Sequence, residues 1–375
     1  MLLGALSLAF GYFQWRRTEV IAAAGTAEAR LEQAVRQREA RAWQQLLGRD
    51  SELIDLGFTV RRDGKVKLPS RDEAPRSVEG LVAFYRQLEP RRMVVMGRSG
   101  AAAGGDAGTG KTVAVIKLLQ DWVAEGQPGQ AVLVRLSAGD WPGGGIEDWL
   151  VAHLDRVLGL RHSEAREMVR AHLVIPVIDG LDEMDGTDAP GHGSQAAALL
   201  DVLNNRQLDA RLLPVVVTCR ADHYAALTAA DRQLRNAAVV RLKRVDPARA
   251  RKYLDVRAGQ RDAQGRWERV LDAVHSDGAG STAVQAALDS PWRLTLATVV
   301  FQERGSGGVG YERHPDTIID MAEAGTLRAY LLDNFIAAAV SAACNAKDAK
   351  VADINREAKQ AAQRRRRLRQ QGDNK

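Results

Sequence analysis

Cysteine is almost absent from the 375-residue sequence: Cys219 and Cys344 are the only two, and neither has a CxxC neighbour or a Cys/His partner. A disulfide framework or a zinc site needs such partners, so we expect reduced thiols, a reducing compartment and no zinc site. The sequence also lacks an HExxH pattern and a GxSxG pattern. Zinc proteases and serine hydrolases therefore have no support as function classes.

A hydrophobic run long enough to cross a bilayer is lacking at the N-terminus. The uncharged residues 1–15 are followed by Arg16 and Arg17, whereas a membrane span needs about 20 apolar residues. A signal peptide carries its positive charge before the apolar stretch, not after it. We therefore predict a short signal-anchor helix in residues 1–17 that holds a cytoplasmic protein on the inner face of the cell membrane. The alternative is an N-terminal helix packed into a soluble core.

An excess of positive charge is present but local. The net charge is +6, and an arginine-rich run lies at residues 364–369 within a predicted basic tail, 343–375. The run has no interleaved aromatic residues on which bases could stack. Because runs of like charge are typical of solvated tails, the sequence does not support nucleic-acid recognition beyond this tail.

Strand-like and helical patterns alternate through the middle of the chain. Five short apolar runs indicate strands that are buried on both faces, with helical patterns between them. The runs are residues 93–96, 131–136, 173–178, 213–218 and 238–242. This alternation predicts an α/β fold with a doubly wound parallel sheet. Beyond residue 246 the strand signals stop, and the pattern predicts an all-α helical domain.

The predicted organisation therefore has five segments. Between the anchor helix and the α/β core lies a helical stalk, on which Leu31, Val35, Ala42 and Leu46 share roughly one face, and then a polar linker. The segments are the anchor helix 1–17, the stalk and linker 18–76, the α/β core 77–246, the helical domain 247–342 and the basic tail 343–375.

Residues 105–112, GDAGTGKT, fit the pattern G-x-x-x-x-G-K-[ST] between a predicted strand and a predicted helix. The glycines let the loop curl so that backbone N–H groups point at phosphate oxygens, and the following helix adds the positive end of its dipole. Lys111 is expected to bind the β- and γ-phosphates, and the Thr112 hydroxyl to ligate Mg²⁺. The predicted ligands are thus ATP or GTP with Mg²⁺. The predicted nucleotide-binding residues in this loop are Gly105, Gly108, Thr109, Gly110, Lys111 and Thr112.

The same loop contains an anomaly. Gly97 to Gly100 read GRSG, and removal of residues 101–108 would join them to Thr109 as GRSGTGKT, a second complete motif directly after the strand. The chain therefore carries an Ala/Gly-rich insertion inside or just before its phosphate loop. Loop insertions cost little folding free energy, but here we expect the insertion to reduce the preorganisation of the phosphate cradle.

Acidic residues follow the apolar run 173–178. Asp179, at the end of the predicted strand, is placed to reach the Mg²⁺ near Thr112, usually through water. Asp182 or Glu183 is placed to orient or deprotonate the attacking water, and we favour Glu183. Burial of this acid cluster without a cation would be costly, which supports metal binding.

A third strand end carries Thr218 and Arg220. The planar fork of an arginine meets phosphate oxygens in bidentate fashion, so we predict that Arg220 senses the γ-phosphate. The alternative is a surface arginine paired with Asp222, because exposed ion pairs are common.

Together these motifs resemble the NACHT family of STAND-type P-loop NTPases. The DGxDE string that begins at Asp179 and the Thr-x-Arg strand end carry the resemblance, which is strongest to actinobacterial members with N-terminal membrane helices. Further similarities lie in residues 136–141, 148–150, 242–247, 288–294, 314–316 and 330–335. The resemblance implies an ATPase core and a helical domain that switch between a nucleotide-locked inactive form and an active, often homo-oligomeric form.

The resemblance also implies that Pro291 packs near the adenine, although a proline at the first turn of a helix explains the residue equally well. The family has a winged-helix domain that supplies a histidine to the β-phosphate, and from the resemblance we expect no counterpart of it after the helical domain of this sequence. The predicted function is a signalling NTPase that binds Mg-ATP and hydrolyses it slowly to reset its state. The alternative is a nucleotide-binding scaffold whose turnover is impaired by the insertion and the missing lid.

Overall fold

A computed structural model describes ten stretches of the chain. They are residues 27–47, 53–70, 74–97, 108–126, 129–186, 193–208, 211–259, 265–276, 278–303 and 310–340. The predicted anchor helix (1–17), most of the insertion and the basic tail (343–375) lie outside the described residues. The chain divides into two compact units, with the boundary between Arg244 and Val245.

Strands and helices alternate in the first unit, as the sequence predicts. The helices are α1 (27–47), α2 (Leu81–Arg86), α3 (Lys111–Ala124), α4 (Ile146–Arg156), α5 (His162–Arg170), α6 (Gln195–Asn205) and α7 (Ala221–Ala229). The strands are β1 (Phe58–Arg62), β2 (Arg92–Met96), β3 (Val132–Ser137), β4 (Val174–Asp179), β5 (Gln207–Leu208), β6 (Arg211–Leu212), β7 (Val215–Cys219) and β8 (Ala238–Leu242).

Within the described residues, six of these strands form one sheet in the order β1-β8-β2-β7-β4-β3. The strands β8, β2, β7, β4 and β3 are parallel, while β1 pairs antiparallel with β8. Every residue of β2 and β7 is buried, which explains why these strands, apart from Arg92 and Thr218, are apolar on both faces rather than alternating. The predicted α/β fold is confirmed, with the correction that the sheet is mixed at one edge.

The edge strand β1 was not predicted. Its sequence, FTVRR, buries Phe58 alone and leaves most other side chains accessible, so it lacks the apolar run by which buried strands are recognised. Its pairing with β8, from Phe58 opposite Leu242 to Arg62 opposite Ala238, brings part of the predicted linker into the sheet.

The buried Arg92 anchors the base of β2, the strand that leads to the phosphate loop. Its guanidinium donates to the carbonyl oxygens of Arg235 and Leu213, each at 2.9 Å, and to Asn204 Oδ1 at 3.0 Å. Burial lowers the pKa of Arg92 to about 10. These bonds satisfy a charge that would otherwise be costly to bury, and they join β2 to the ends of three neighbouring segments.

The predicted amphipathic helix before the core is present as α1 and packs on the first unit. Leu31 and Val35 are buried, as expected for its apolar face, whereas Leu46 is 49% exposed. Polar contacts add to this packing: Arg30 pairs with Glu164 of α5 at 2.5 Å. In this structure α1 therefore lies against the α/β core along much of its length.

The second unit is helical throughout its described part. Its helices are α8 (Pro247–Gly259), α9 (Glu268–His275), α10 (Ala279–Ala287), α11 (Pro291–Phe301), α12 (Thr317–Glu323) and α13 (327–340). Trp267 packs edge-on against Phe301 in its core, with ring centroids 6.3 Å apart. Among the described helices of both units, none is long and apolar enough to cross a membrane.

Candidate functional site

The described half of the phosphate loop has the conformation expected of a phosphate cradle. Gly108 and Gly110 have φ angles of 75° and 91°, in the left-handed region that glycine adopts without steric cost. Gly110 is the N-cap of α3, which begins at Lys111 and continues with Thr112. The apolar residues of α3 are largely buried, so the helix N-terminus is fixed where the loop arrives. Gly105 lies outside the described residues.

The carboxyl ends of β2, β4 and β7 meet at one edge of the sheet. β7 lies between the other two, with Met96 opposite Cys219 on one side and Ile178 opposite Val217 on the other. Since neighbouring strands are about 4.8 Å apart, the end of β4 lies roughly 10 Å from the strand that leads to the loop. This is a distance that a bound phosphate chain with its cation can span.

Asp179, the last residue of β4, is held by two side chains from neighbouring strands. Thr218 Oγ1, fully buried in β7, donates to Asp179 Oδ1 at 2.6 Å. Arg135 of β3 places Nη1 3.4 Å from Asp179 Oδ2. The Asp179 side chain is nevertheless 12% exposed, and a carboxylate has more lone pairs than these two contacts use. Asp179 is therefore oriented but still able to accept a further ligand.

The chain turns sharply after Asp179. Gly180 has φ 84°, and a Cβ at this position would lie 2.9 Å from Glu183 Cδ, so a larger residue would displace the acidic side chain. The Gly180 N–H donates to Thr218 Oγ1 at 2.8 Å. A 3₁₀ turn, Leu181–Glu183, then presents Asp182 and Glu183 beside the strand end.

Asp182 and Arg220 bind each other. Arg220 Nε lies 2.9 Å from Asp182 Oδ2, and the Arg220 N–H donates to Asp182 Oδ1 at 2.8 Å. The structure thus gives Arg220 a partner inside the acidic motif, not the neighbouring Asp222. About half of the Arg220 side chain is exposed while Asp182 is nearly buried, so the arginine remains accessible to a ligand at this edge.

The carboxyl group of Glu183, in the turn that follows β4, has a raised pKa. Burial raises its pKa above the ordinary value, and the negative charges of Asp182 and Asp179 raise it further, while Arg220 and Lys111 act in the opposite direction. A carboxyl group with a raised pKa is better suited to accept a proton.

Three contacts at this edge were missed by the sequence analysis. Arg135 interrupts an otherwise apolar strand, and a charge in a buried strand signals a buried partner. Asp185, just after the turn, accepts from Ser194 Oγ at 2.6 Å and lies 3.3 Å from His223 Nε2, which fixes the segment that follows the acidic motif. Glu39, the partner of Arg135 on α1, is separated from it by 96 residues, so no local pattern indicates the contact.

The residues present fit a magnesium ion that is held together with a nucleotide. Among the described residues, no three His, Cys, Asp or Glu side chains converge as a metal site. Mg²⁺ is commonly held by one or two protein oxygens together with phosphates and water. The Asp179 carboxylate and the Thr112 hydroxyl are of that kind.

Pro291 lies in the second unit as the first residue of α11, where the Ser290 hydroxyl accepts from the Arg293 N–H and caps the helix. This position accounts for the proline by its fixed φ angle alone. Its role near an adenine stays a prediction.

Helix α3 follows a glycine-rich loop and begins with Lys111 and Thr112, and Asp179 ends a strand of the same mostly parallel sheet. This arrangement defines a P-loop NTPase. Comparison with known families agrees: residues 102–258 match the NACHT domain. The chain therefore contains a NACHT-type P-loop NTPase domain, and the match includes the motif that begins at Gly105. No curated protein matches the sequence.

Proposed function

We propose that the protein binds Mg-ATP at the edge formed by Lys111, Asp179 and Glu183 and hydrolyses it slowly, as a switch that resets its own state. The observation that carries this proposal is the Asp179 carboxylate, which Thr218 and Arg135 orient at the end of β4, next to the turn that presents Glu183. A NACHT domain supports a nucleotide ligand; the choice of ATP, the Mg²⁺ and the turnover belong to the proposal.

Each side chain has a proposed part. Gly105, Gly108, Thr109 and Gly110 direct backbone N–H groups at the phosphates, and Lys111 adds a positive charge. Thr112 and Asp179 hold the cation, which supplies neutralisation of the phosphate charge when it is bound.

The proposed hydrolysis depends on Glu183. Its carboxylate accepts a proton from the attacking water, for which a raised pKa is favourable. Arg220, now bound to Asp182, is the proposed sensor of the γ-phosphate, because its accessible guanidinium can exchange that carboxylate for phosphate oxygens.

The test measures ATP binding and phosphate release on the same samples of wild type, Lys111→Ala and Lys117→Ala. Lys117 lies on the same helix and pairs with Asp121 at 2.6 Å, so it controls for loss of a lysine from α3. Lys111→Ala should lose binding and turnover, while Lys117→Ala should keep both. Equal binding by wild type and Lys111→Ala would contradict the proposal.

The same experiment decides between a switch that turns over and a scaffold that only binds. Binding by wild type with phosphate release no higher than that of Lys111→Ala would favour the scaffold. Signalling, homo-oligomerisation and membrane attachment by residues 1–15 remain further parts of the proposal. Comparison of detergent dependence between the full chain and a chain that starts at Arg16 tests the attachment.

A further inference from the structure

A buried ion pair connects α1 to the strand-end acid. Glu39 of α1 is 1% exposed, and its Oε2 accepts from Arg135 Nε at 3.0 Å. The same guanidinium lies 3.4 Å from Asp179 Oδ2 through Nη1. Arg135 is thus shared between a carboxylate on the N-terminal helix and the carboxylate proposed to hold the cation.

The surroundings of Glu39 support this sharing. Arg38 Nε lies 3.9 Å from Glu39 Oε1, and Arg38 Nη1 lies 2.7 Å from His153 Nε2. Burial, followed by the charges of Arg38 and Arg135, lowers the pKa of His153 to about 4, so the imidazole is neutral and accepts the hydrogen bond. The hydrogen bond to His153 thereby holds Arg38 beside Glu39.

The ionised form of Glu39 is costly for the fold. Burial raises the pKa of Glu39, and the charge of Asp179 adds to this effect, although Arg135 and Arg38 oppose it. A buried ion pair is often no more stabilising than apolar residues of similar size. A contribution to stability is therefore a weak explanation for the presence of Glu39 at this position. Its connection to Asp179 through Arg135 is a better explanation.

We propose that Glu39 and Arg135 are positioning residues for Asp179, so that α1 sets how strongly the site holds the divalent cation of a bound nucleotide. This inference rests on the proposed function and names a regulatory part of the same site. Glu39 neutralises part of the positive charge of Arg135, and Arg135 keeps the Asp179 carboxylate oriented. Without Glu39, Arg135 faces Asp179 alone and competes with the cation.

The test is the Mg²⁺ concentration at half-saturation for binding of a fluorescent ATP analogue, with Mn²⁺ binding followed by electron paramagnetic resonance as a second readout. Glu39→Gln, which keeps size and a hydrogen-bond acceptor, should raise the half-saturating Mg²⁺ about tenfold, as loss of outer-shell partners usually does. Arg135→Lys should raise it similarly, because one ammonium group cannot bridge two carboxylates as a planar guanidinium does.

Two further variants separate positioning from a general role of α1. The double variant Glu39→Gln/Arg135→Lys should raise the Mg²⁺ requirement no more than the larger single effect, because the two residues act through one contact. Arg30→Gln removes another ion pair of α1, that with Glu164, far along the helix. It should leave the Mg²⁺ requirement within about twofold of wild type, as for independent sites.

The outcomes are distinguishable. If Glu39→Gln binds the ATP analogue with the same half-saturating Mg²⁺ concentration as wild type, the inference is contradicted and the proposed function stands. The same holds if Arg30→Gln raises the half-saturating Mg²⁺ concentration as much as Glu39→Gln does. If Glu39→Gln does not fold, as judged by circular dichroism, Arg135→Lys decides by the same measure. Absence of Mg²⁺-dependent binding by wild type contradicts the proposed function, and the inference with it.

Discussion

Replacement of Thr218 by valine is expected to weaken the centre of the site without changing its shape. Thr218 is fully buried; its hydroxyl donates to Asp179 at 2.6 Å and accepts from the Gly180 N–H at 2.8 Å. Valine has nearly the same volume, so Thr218→Val leaves little cavity and removes only these two hydrogen bonds.

The expected loss of stability in Thr218→Val can be estimated from the two hydrogen bonds that it removes. A hydrogen bond to a charged group contributes about 1.5–3 kcal/mol, and a buried donor left without an acceptor costs about 1–3 kcal/mol. Arg135 still holds Asp179, and valine adds apolar burial, so part of this loss is offset. We expect Thr218→Val to lower the free energy of unfolding of the first unit by about 3 kcal/mol.

The assay is hydrogen exchange under native conditions, followed by mass spectrometry in peptides from β4 and β7, because these peptides report on the first unit alone. Thr228→Val is the matched control: its hydroxyl donates to the Tyr224 carbonyl oxygen within α7, at 2.8 Å. A loss in Thr218→Val no larger than in this control would refute the proposed importance of the Thr218–Asp179 contact.

Three further predictions concern the acids and the arginine. Glu183→Gln should lower phosphate release about 100-fold or more and keep ATP binding; an unchanged release rate excludes Glu183 as the base. Arg220→Ala should lower phosphate release about 100-fold and stability by at most about 1 kcal/mol. The control is Arg232→Ala, which removes the accessible ion pair of Arg232 with Asp201 and should lower stability alone. Equal phosphate release by the two variants would contradict a sensor role. The pKa of Glu39 is raised from its ordinary value of 4.5, so the folded state binds a proton at Glu39 more tightly than the unfolded state does. The contribution of Glu39 to stability is therefore fully present below pH 4.5 and is lost as the pH rises through the raised pKa. The free energy of unfolding, measured with urea from pH 4 to 8, should therefore decrease less steeply with pH in Glu39→Gln than in wild type. Identical slopes would count against a raised pKa of Glu39.

The parallel strands and the phosphate loop could be predicted because their signals are local. Strands buried on both faces have continuous apolar runs, and the observed β4 begins and ends within one residue of the predicted run 173–178. The position of Asp179 at the end of a strand could be predicted for the same reason, since Asp179 directly follows such a run.

Contacts between distant segments could not be predicted in this way. Helix α5 buries only Ala165, Met168 and Val169, and nothing in this short pattern indicates which part of the sheet the helix packs against. The contact of Glu39 with Arg135 depends on how α1 packs across the sheet, and nothing near either residue indicates the other. The sequence therefore indicates the residues that we propose to bind a nucleotide, but it does not indicate the residues that position them.

Binding of Mg-ATP where the phosphate loop meets the end of β4 is tested most directly by hydrogen exchange with and without Mg-ATP. Peptides that cover residues 105–118 and 177–186 should become protected, and a peptide from α5 should not change. Saturated ATP binding with unchanged exchange in both of the first two peptides would contradict binding at this place.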